Sequence, residues 1–182
     1  MRDIKMDLLS VEILTNRLKL KPVSMAYKEE MFSEFTEDIT KYMCPRSPQH
    51  ISETEAFIEN AILDLAKGSD LRLVILKKDS QEFLGCAGLH DMLGKIPEFG
   101  IWLKKSAHGY KYGLEAIAGI KNWADKNLDY EYFLYPVERE NIPSRKIPEA
   151  LDGKIIREYE YKKTNRNILN FVEYRIDKNS NG

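Results

Sequence analysis

Glu98-Phe99-Gly100-Ile101-Trp102-Leu103-Lys104-Lys105-Ser106-Ala107-His108-Gly109-Tyr110-Lys111-Tyr112-Gly113-Leu114-Glu115-Ala116 is the stretch on which the fold turns. A short apolar run leads into a glycine-containing turn, and the turn leads into an amphipathic pattern. That order predicts strand, turn, helix. The first N–H groups of such a helix have no intrahelical partner. They lie at the positive end of the helix dipole, where a phosphate or pyrophosphate is stabilised.

Outward from this corner the chain reads as strands with inserted helices. Upstream, residues 17–23 alternate charged and apolar and stop at Pro22, as a first strand with one wet face does. Ser24 is placed to cap a helix running to about Glu34. Residues 36–49 carry two prolines and form a connection with at most a helical turn. Ser52 and Glu55 have capping-box spacing, and the helix they open ends at Gly68. Residues 71–76 and 83–90 predict an antiparallel hairpin, and residues 97–103 form the strand that enters the corner. Downstream come a helix to about Asn127, an aromatic strand at 130–137, a short helix at 141–151 weakened by Pro148, and a closing hairpin at 155–161 and 168–176. The fold class is α+β, one domain over residues 1–177. It has a mostly antiparallel mixed sheet and helices on both faces. Residues 178–182 are expected to fray.

The totals narrow the function. The chain has 182 residues, enough for one sizeable core. Its 28 Lys and Arg nearly balance 29 Asp and Glu, so no global footprint for nucleic acid exists. Two cysteines make neither a disulfide framework nor a metal motif, and the three histidines are not spaced as a metal set. The charged start lacks a signal-peptide core, and no apolar run approaches a membrane span. The expectation is a cytoplasmic protein with no metal, no nucleic-acid partner and no membrane contact. Oligomeric state is not readable.

The element order resembles the GNAT superfamily of N-acetyltransferases, more narrowly the branch that acetylates ribosomal-protein N-termini (RimJ/RimL-like). Two motifs carry the resemblance, which spans roughly residues 14–177. His108-Gly109-Tyr110-Lys111-Tyr112-Gly113 stands where that family has Gln/Arg-x-x-Gly-x-Gly/Ala. Asn141-Ile142-Pro143-Ser144-Arg145-Lys146 is similar to its Asn-x-x-Ser-x-Arg/Lys segment. The departures are His108 for Gln or Arg, Lys111 for the central glycine, and Asp152 for a small residue.

The resemblance implies acetyl-CoA as co-substrate and transfer of its acetyl group to a primary amine by direct attack on the thioester. It implies a pyrophosphate on the N–H groups of Gly109, Tyr110, Lys111, Tyr112 and Gly113, with His108 as a cap or a phosphate contact. Pantetheine would pair with the backbone of Ile101, Trp102 and Leu103, and Asn141 would bond to it. A basic amine is protonated at neutral pH, so a general base is needed, and Glu98 is the candidate. Ser144 is the candidate donor to the leaving thiolate; its alternative role is a helix N-cap. Relatives use a tyrosine on the equivalent helix, and residues 141–151 have none. His90 and Cys86 read first as structural residues. The acidic set Glu29, Glu30, Glu34, Glu37 and Asp38 suggests either a wall for a cationic acceptor or a solvated helix face; Tyr42 and Met43 are placed to share that wall. The acceptor is a small-molecule or peptide amine. A different class of reading, a non-catalytic acyl-CoA-binding or interaction module, is motivated by Lys111 and the missing tyrosine. Tyr159 and Tyr161 share a strand face as a cleft wall or a contact surface.

Overall fold

The computed structural model describes residues 6–179; the charged start at 1–5 and the end of the expected frayed tail at 180–182 lie outside the described residues. In chain order the elements are β1 (Ile13–Leu14), β2 (Leu18–Pro22), α1 (Lys28–Glu34), α2 (Glu37–Thr40), α3 (Ile51–Lys67), β3 (Leu71–Lys77), β4 (Phe83–His90), β5 (Glu98–Leu103), α4 (Tyr112–Asn127), β6 (Tyr132–Glu138), α5 (Ile142–Ala150), β7 (Lys154–Thr164) and β8 (Asn167–Asp177). One sheet takes all eight strands in the order β1-β2-β3-β4-β5-β6-β8-β7. Every pairing is antiparallel except β5 with β6.

The faces follow from strand alternation. Phe99, Ile101 and Leu103 point to the α4 side, where a side chain at Gly113 would come within 2.9 Å of Ile147 in α5. Glu98, Gly100 and Trp102 point to the other side, where Trp102 meets Phe35 at the end of α1 with ring centroids 4.7 Å apart. Leu20, Leu73, Ile75, Phe99, Ile117, Ile120, Phe133 and Tyr174 belong to one continuous buried core.

The parallel junction is the exception in the sheet. β4 and β5 pair along six residues, whereas β5 and β6 meet at Glu98 and Leu134 alone. Leu134 N–H donates to Pro97 O at 3.0 Å. The next donor facing β5 from β6 would be residue 136, and it is a proline with no N–H. The ladder therefore stops after one step and the strands splay. An internal edge opens in the middle of the sheet.

Three local expectations change. Helix α3 starts at Ile51, not at a box of Ser52 and Glu55. Glu53 reaches back one turn and its carboxylate accepts the N–H groups of Gln49 and His50, which satisfies the orphan donors earlier. Glu55 instead accepts from Lys28 Nζ at 2.9 Å. A short strand, β1, precedes the alternating strand and pairs with it. Tyr159 is half-buried, stacked on Phe171 at 5.4 Å, and Tyr161 meets the same ring edge-on, so this strand face is partly covered by the protein itself.

Candidate active site

The corner is built from backbone and braced from a distance. A 3-10 turn at Lys105–Ala107 leads to Gly109, whose φ is +87°, and to Lys111, whose φ is +61°. Lys111 is the residue before α4 and sits in the left-handed region that glycine adopts without strain. The position that lacks the family's glycine thus keeps the glycine-like conformation, at a cost of about 1–2 kcal/mol for a side chain that has a Cβ. The turn is clamped by Arg17, which donates to Tyr110 O at 3.0 Å and lies 4.5 Å from the Tyr112 ring centroid. Arg17 is held by Glu115, whose carboxylate accepts from Thr15 Oγ1, Arg17 N and Arg17 Nε, each at 2.7 Å. Burial pushes the Glu115 carboxyl up, but these donors outweigh it and leave it below its ordinary pKa.

β5 connects the corner to the splay. Lys104 N–H donates to Leu84 O at 2.8 Å, which fixes the alternation of the β4–β5 ladder. Trp102 and Gly100 then turn their backbone groups to β4, and Ile101 and Leu103 turn theirs to the gap beside β6. Of the three residues expected to offer backbone pairing, Trp102 is engaged elsewhere, and its side chain lines the neighbouring cavity instead. His108 Nε2 donates to Leu103 O at 2.9 Å, so this histidine holds the strand end and takes one of the gap-facing carbonyls.

A cavity of about 740 Å³ lies on the α1–α3 face and reaches the gap. Glu98, Trp102, Tyr135, Asn141 and Ser144 all line it, together with Tyr42 and Met43. Its floor is bare because Gly88 and Gly100 have no side chains; a Cβ at Gly100 would lie 2.8 Å from His90 Nε2. The acidic helix residues Glu29, Glu30, Glu34, Glu37 and Asp38 are not among its lining; Asp38 pairs with Lys105, and the cavity walls are mostly apolar. Cys86 is half-buried, packed against the core with one side on the cavity wall. Burial raises its thiol pKa, so it stays a neutral thiol. His90 also faces the cavity, 3.9 Å from Asp70, and burial followed by the Arg72 charge lowers its pKa and keeps it neutral.

Glu98 stands apart from the other charged lining groups. Arg46 pairs with Glu53, and Arg72 with Asp64 and Asp70. The Glu138 carboxylate accepts from Glu140 N–H at 2.6 Å and Asn170 N–H at 3.4 Å. Among the described residues nothing hydrogen-bonds the Glu98 carboxylate; burial first, then the Glu173 charge, raises its pKa above the ordinary value.

Ser144 is not the cap of its helix. Asn141 Oδ1 accepts Ser144 N–H at 3.4 Å and does that work, which frees the serine hydroxyl. Its Oγ lies 2.8 Å from the Tyr135 hydroxyl. Tyr135 is buried, and burial holds its phenol well above the ordinary pKa, so it remains protonated. A tyrosine hydroxyl, absent from the helix, thus reaches Ser144 from β6. Tyr135-Pro136, two residues inside an aromatic strand, was the available signal both for this hydroxyl and for the splay. Asp152 closes α5 with φ +60°, where Asp is tolerated better than most side chains. Among the described residues no group of His, Cys, Asp and Glu could hold a metal ion, and no helix is long and apolar enough to cross a membrane.

An acetyltransferase (GNAT) domain matches residues 17–154. No curated protein sequence matches the chain significantly. Among solved structures, a GNAT-family acetyltransferase from Bacillus anthracis superposes with a TM-score of 0.81 at 14% identity, covering 93% of this chain and 100% of the other. RimL, the ribosomal L7/L12 alpha-N-protein acetyltransferase, in complex with coenzyme A, gives 0.82 at 14% identity, covering 92% and 98%. The microcin C7 self-immunity acetyltransferase MccE, in complex with acetyl-CoA and AMP, gives 0.78 at 18% identity, covering 89% and 93%. At these identities the likeness is one of fold. The domain match, however, takes in most of the chain and both halves of the site, from Arg17 through the corner to Ser144, and the chain belongs to the GNAT acetyltransferase family.

Proposed function

We propose that the protein moves an acetyl group from acetyl-CoA to a primary amine by direct attack on the thioester. The observation that carries this reading is the internal strand edge, which runs from the phosphate-type corner into a cavity holding one unpaired carboxylate and a hydroxyl pair. The residues fit the co-substrate. Ile101 N–H and C=O and Leu103 N–H face the gap, suited to the amides of a pantetheine arm laid in as an extra strand. The N–H groups from Gly109 to Gly113 lie at the positively polarised start of α4, suited to the pyrophosphate. Asn141 uses its Oδ1 as a cap and keeps its amide N–H groups for the arm.

Acetyl-CoA supplies the activated acyl carbon. Glu98, directly or through water, takes a proton from the ammonium, favoured by a raised pKa that makes it a stronger base than an ordinary carboxylate. The freed nitrogen bonds to the acyl carbon and the carbon–sulfur bond breaks. A gap-facing N–H of β5 is placed to receive the oxyanion. Ser144, held by the Tyr135 hydroxyl, gives the sulfur its proton and regains the second proton that the nitrogen releases as the amide forms. The amine loses two protons in all, the thiolate gains one, and one leaves to solvent.

The two features that favoured a non-catalytic module weigh less here: Lys111 adopts the glycine-like conformation, and the Tyr135 hydroxyl lies beside Ser144. The fold likeness to RimL supports the ribosomal N-terminal branch as a relationship of architecture. Mixing the protein with acetyl-CoA and a primary amine tests the reading. It predicts release of one CoA thiol per N-acetyl product by mass; thiol release without product, or none with a broad amine panel, would overturn it.

A further inference from the structure

The cavity carries more than room for an acetyl group. Its wall is built from Met31, Phe35, Met43, Phe57, Trp102 and Phe171. Phe35 and Trp102 form a tilted aromatic pair at 4.7 Å, and Trp102 also meets Phe83 at 5.9 Å. Each charged lining group other than Glu98 is matched. The two arginines face carboxylates, Glu53 is held by Arg46 and backbone, Glu138 accepts backbone N–H groups, and His90 is neutral. One carboxylate in an apolar, aromatic cavity satisfies one ammonium. A second cationic centre would be desolvated with no partner. An extended peptide would bury amides against a wall with few free polar groups, each unmade bond costing affinity. Lys163 Nζ donates to Thr40 O at 2.6 Å and ties β7 to the end of α2, just before the lining residues Tyr42 and Met43.

Resting on the transferase reading above, we propose that the acceptor is an aryl-alkyl monoamine: its ammonium at Glu98, its ring against Phe35 and Trp102. A polyamine lacks the ring, a peptide with a non-aromatic first residue lacks it too, and any peptide adds amides that this wall does not pair. The ring replaces water over an apolar wall and gains the edge and face contacts that aromatic pairs prefer.

The test uses the whole protein and three probes: 2-phenylethylamine, spermidine and a tetrapeptide with an N-terminal serine. Acetyl-CoA binding is measured first by calorimetry. Turnover of each amine is then compared, and 2-phenylethylamine binding is read separately from Trp102 emission in a Trp123→Phe background, since Trp123 lies on α4 across the sheet. The expected result is kcat/KM for 2-phenylethylamine at least about tenfold above either other probe. Phe35→Ala should erase most of that preference. Higher kcat/KM for spermidine or the peptide would overturn the proposal, as would absence of both quench and turnover with 2-phenylethylamine. If acetyl-CoA fails to bind, or no amine is acetylated, while 2-phenylethylamine quenches Trp102 and the quench weakens in Glu98→Gln and Phe35→Ala, the transferase reading falls and the cavity assignment stands.

Discussion

The corner and the cavity solve opposite problems with opposite materials. The corner presents backbone N–H groups, and side chains serve it as braces: Arg17 on Tyr110 O, Glu115 on Arg17, His108 on Leu103 O. The cavity offers side chains, and the backbone serves it by being bare, at Gly88 and Gly100. A backbone site tolerates exchanges that keep its dihedrals, as Lys111 shows. A side-chain site of the proposed kind depends on single groups, here Glu98. The two meet only along the unpaired edge of β5. Substitutions in one region should therefore leave the other's measurement nearly intact.

The largest expected effect lies in the cavity. Glu98→Gln removes the base and should lower kcat/KM for the amine by about 10²–10⁴-fold. The pH profile of the wild-type enzyme sharpens this. A base must be unprotonated to act, so rate falls as pH drops through its pKa. With that pKa raised, the acid limb should lie above the ordinary glutamate value of about 4.3 and vanish in the variant. A limb at the ordinary value would place the base elsewhere.

Next comes the corner's brace. Glu115→Ala strands Arg17 and Thr15 and should cost about 2 kcal/mol in denaturant unfolding, as charged hydrogen bonds do. The Glu115 pKa is depressed by folding. Its contribution is therefore full above the unfolded value and is lost as pH falls through the folded one. Loss of stability on raising the pH would contradict the assignment.

Smaller, and aimed at the boundary between the regions, is Pro136→Val. It restores the N–H that β6 lacks and should extend the β5–β6 ladder, slow amide exchange at Ile101, and weaken acetyl-CoA binding about tenfold through one or two competed hydrogen bonds. The smallest effect is expected at Lys111→Gly, which relieves a left-handed side chain and should raise stability by about 0.5–1 kcal/mol after glycine's entropy is subtracted. A loss of stability would mean the Lys111 side chain contributes more than its strain removes.

Much of this architecture is legible in the chain because local signals agree with it. Residues 83–90 are a short apolar run beyond a polar turn, and β4 has those bounds. Gly68 ends α3 with φ +77°, as its position past an apolar face suggests. The α3 start shows the limit: two acidic residues lie within capping reach, and only the pull of Gln49 N–H, His50 N–H and Arg46 on Glu53 decides between them. The site is less legible because its parts come from far apart. Arg17 and Glu115 are separated by 98 positions, and Tyr135 reaches Ser144 across a strand-to-helix crossing that no spacing encodes. The acidic helix is a case where composition leaves two readings open and the fold chooses the solvated face: Glu29 and Glu30 are exposed and Glu34 is off the cavity, while Met31 and Phe35 line it. Asn141 and Ser144 fit one motif, yet only the fold shows that the asparagine caps and the serine is free.

The separation of donor and acceptor sites is most directly tested by titrating acetyl-CoA calorimetrically into wild-type and Glu98→Gln protein. The account predicts binding by both, with dissociation constants within about twofold, because the donor is held by the corner and the β5 edge and not by the cavity carboxylate. Binding weakened more than about tenfold in the variant, or no binding by folded wild-type protein, would contradict it.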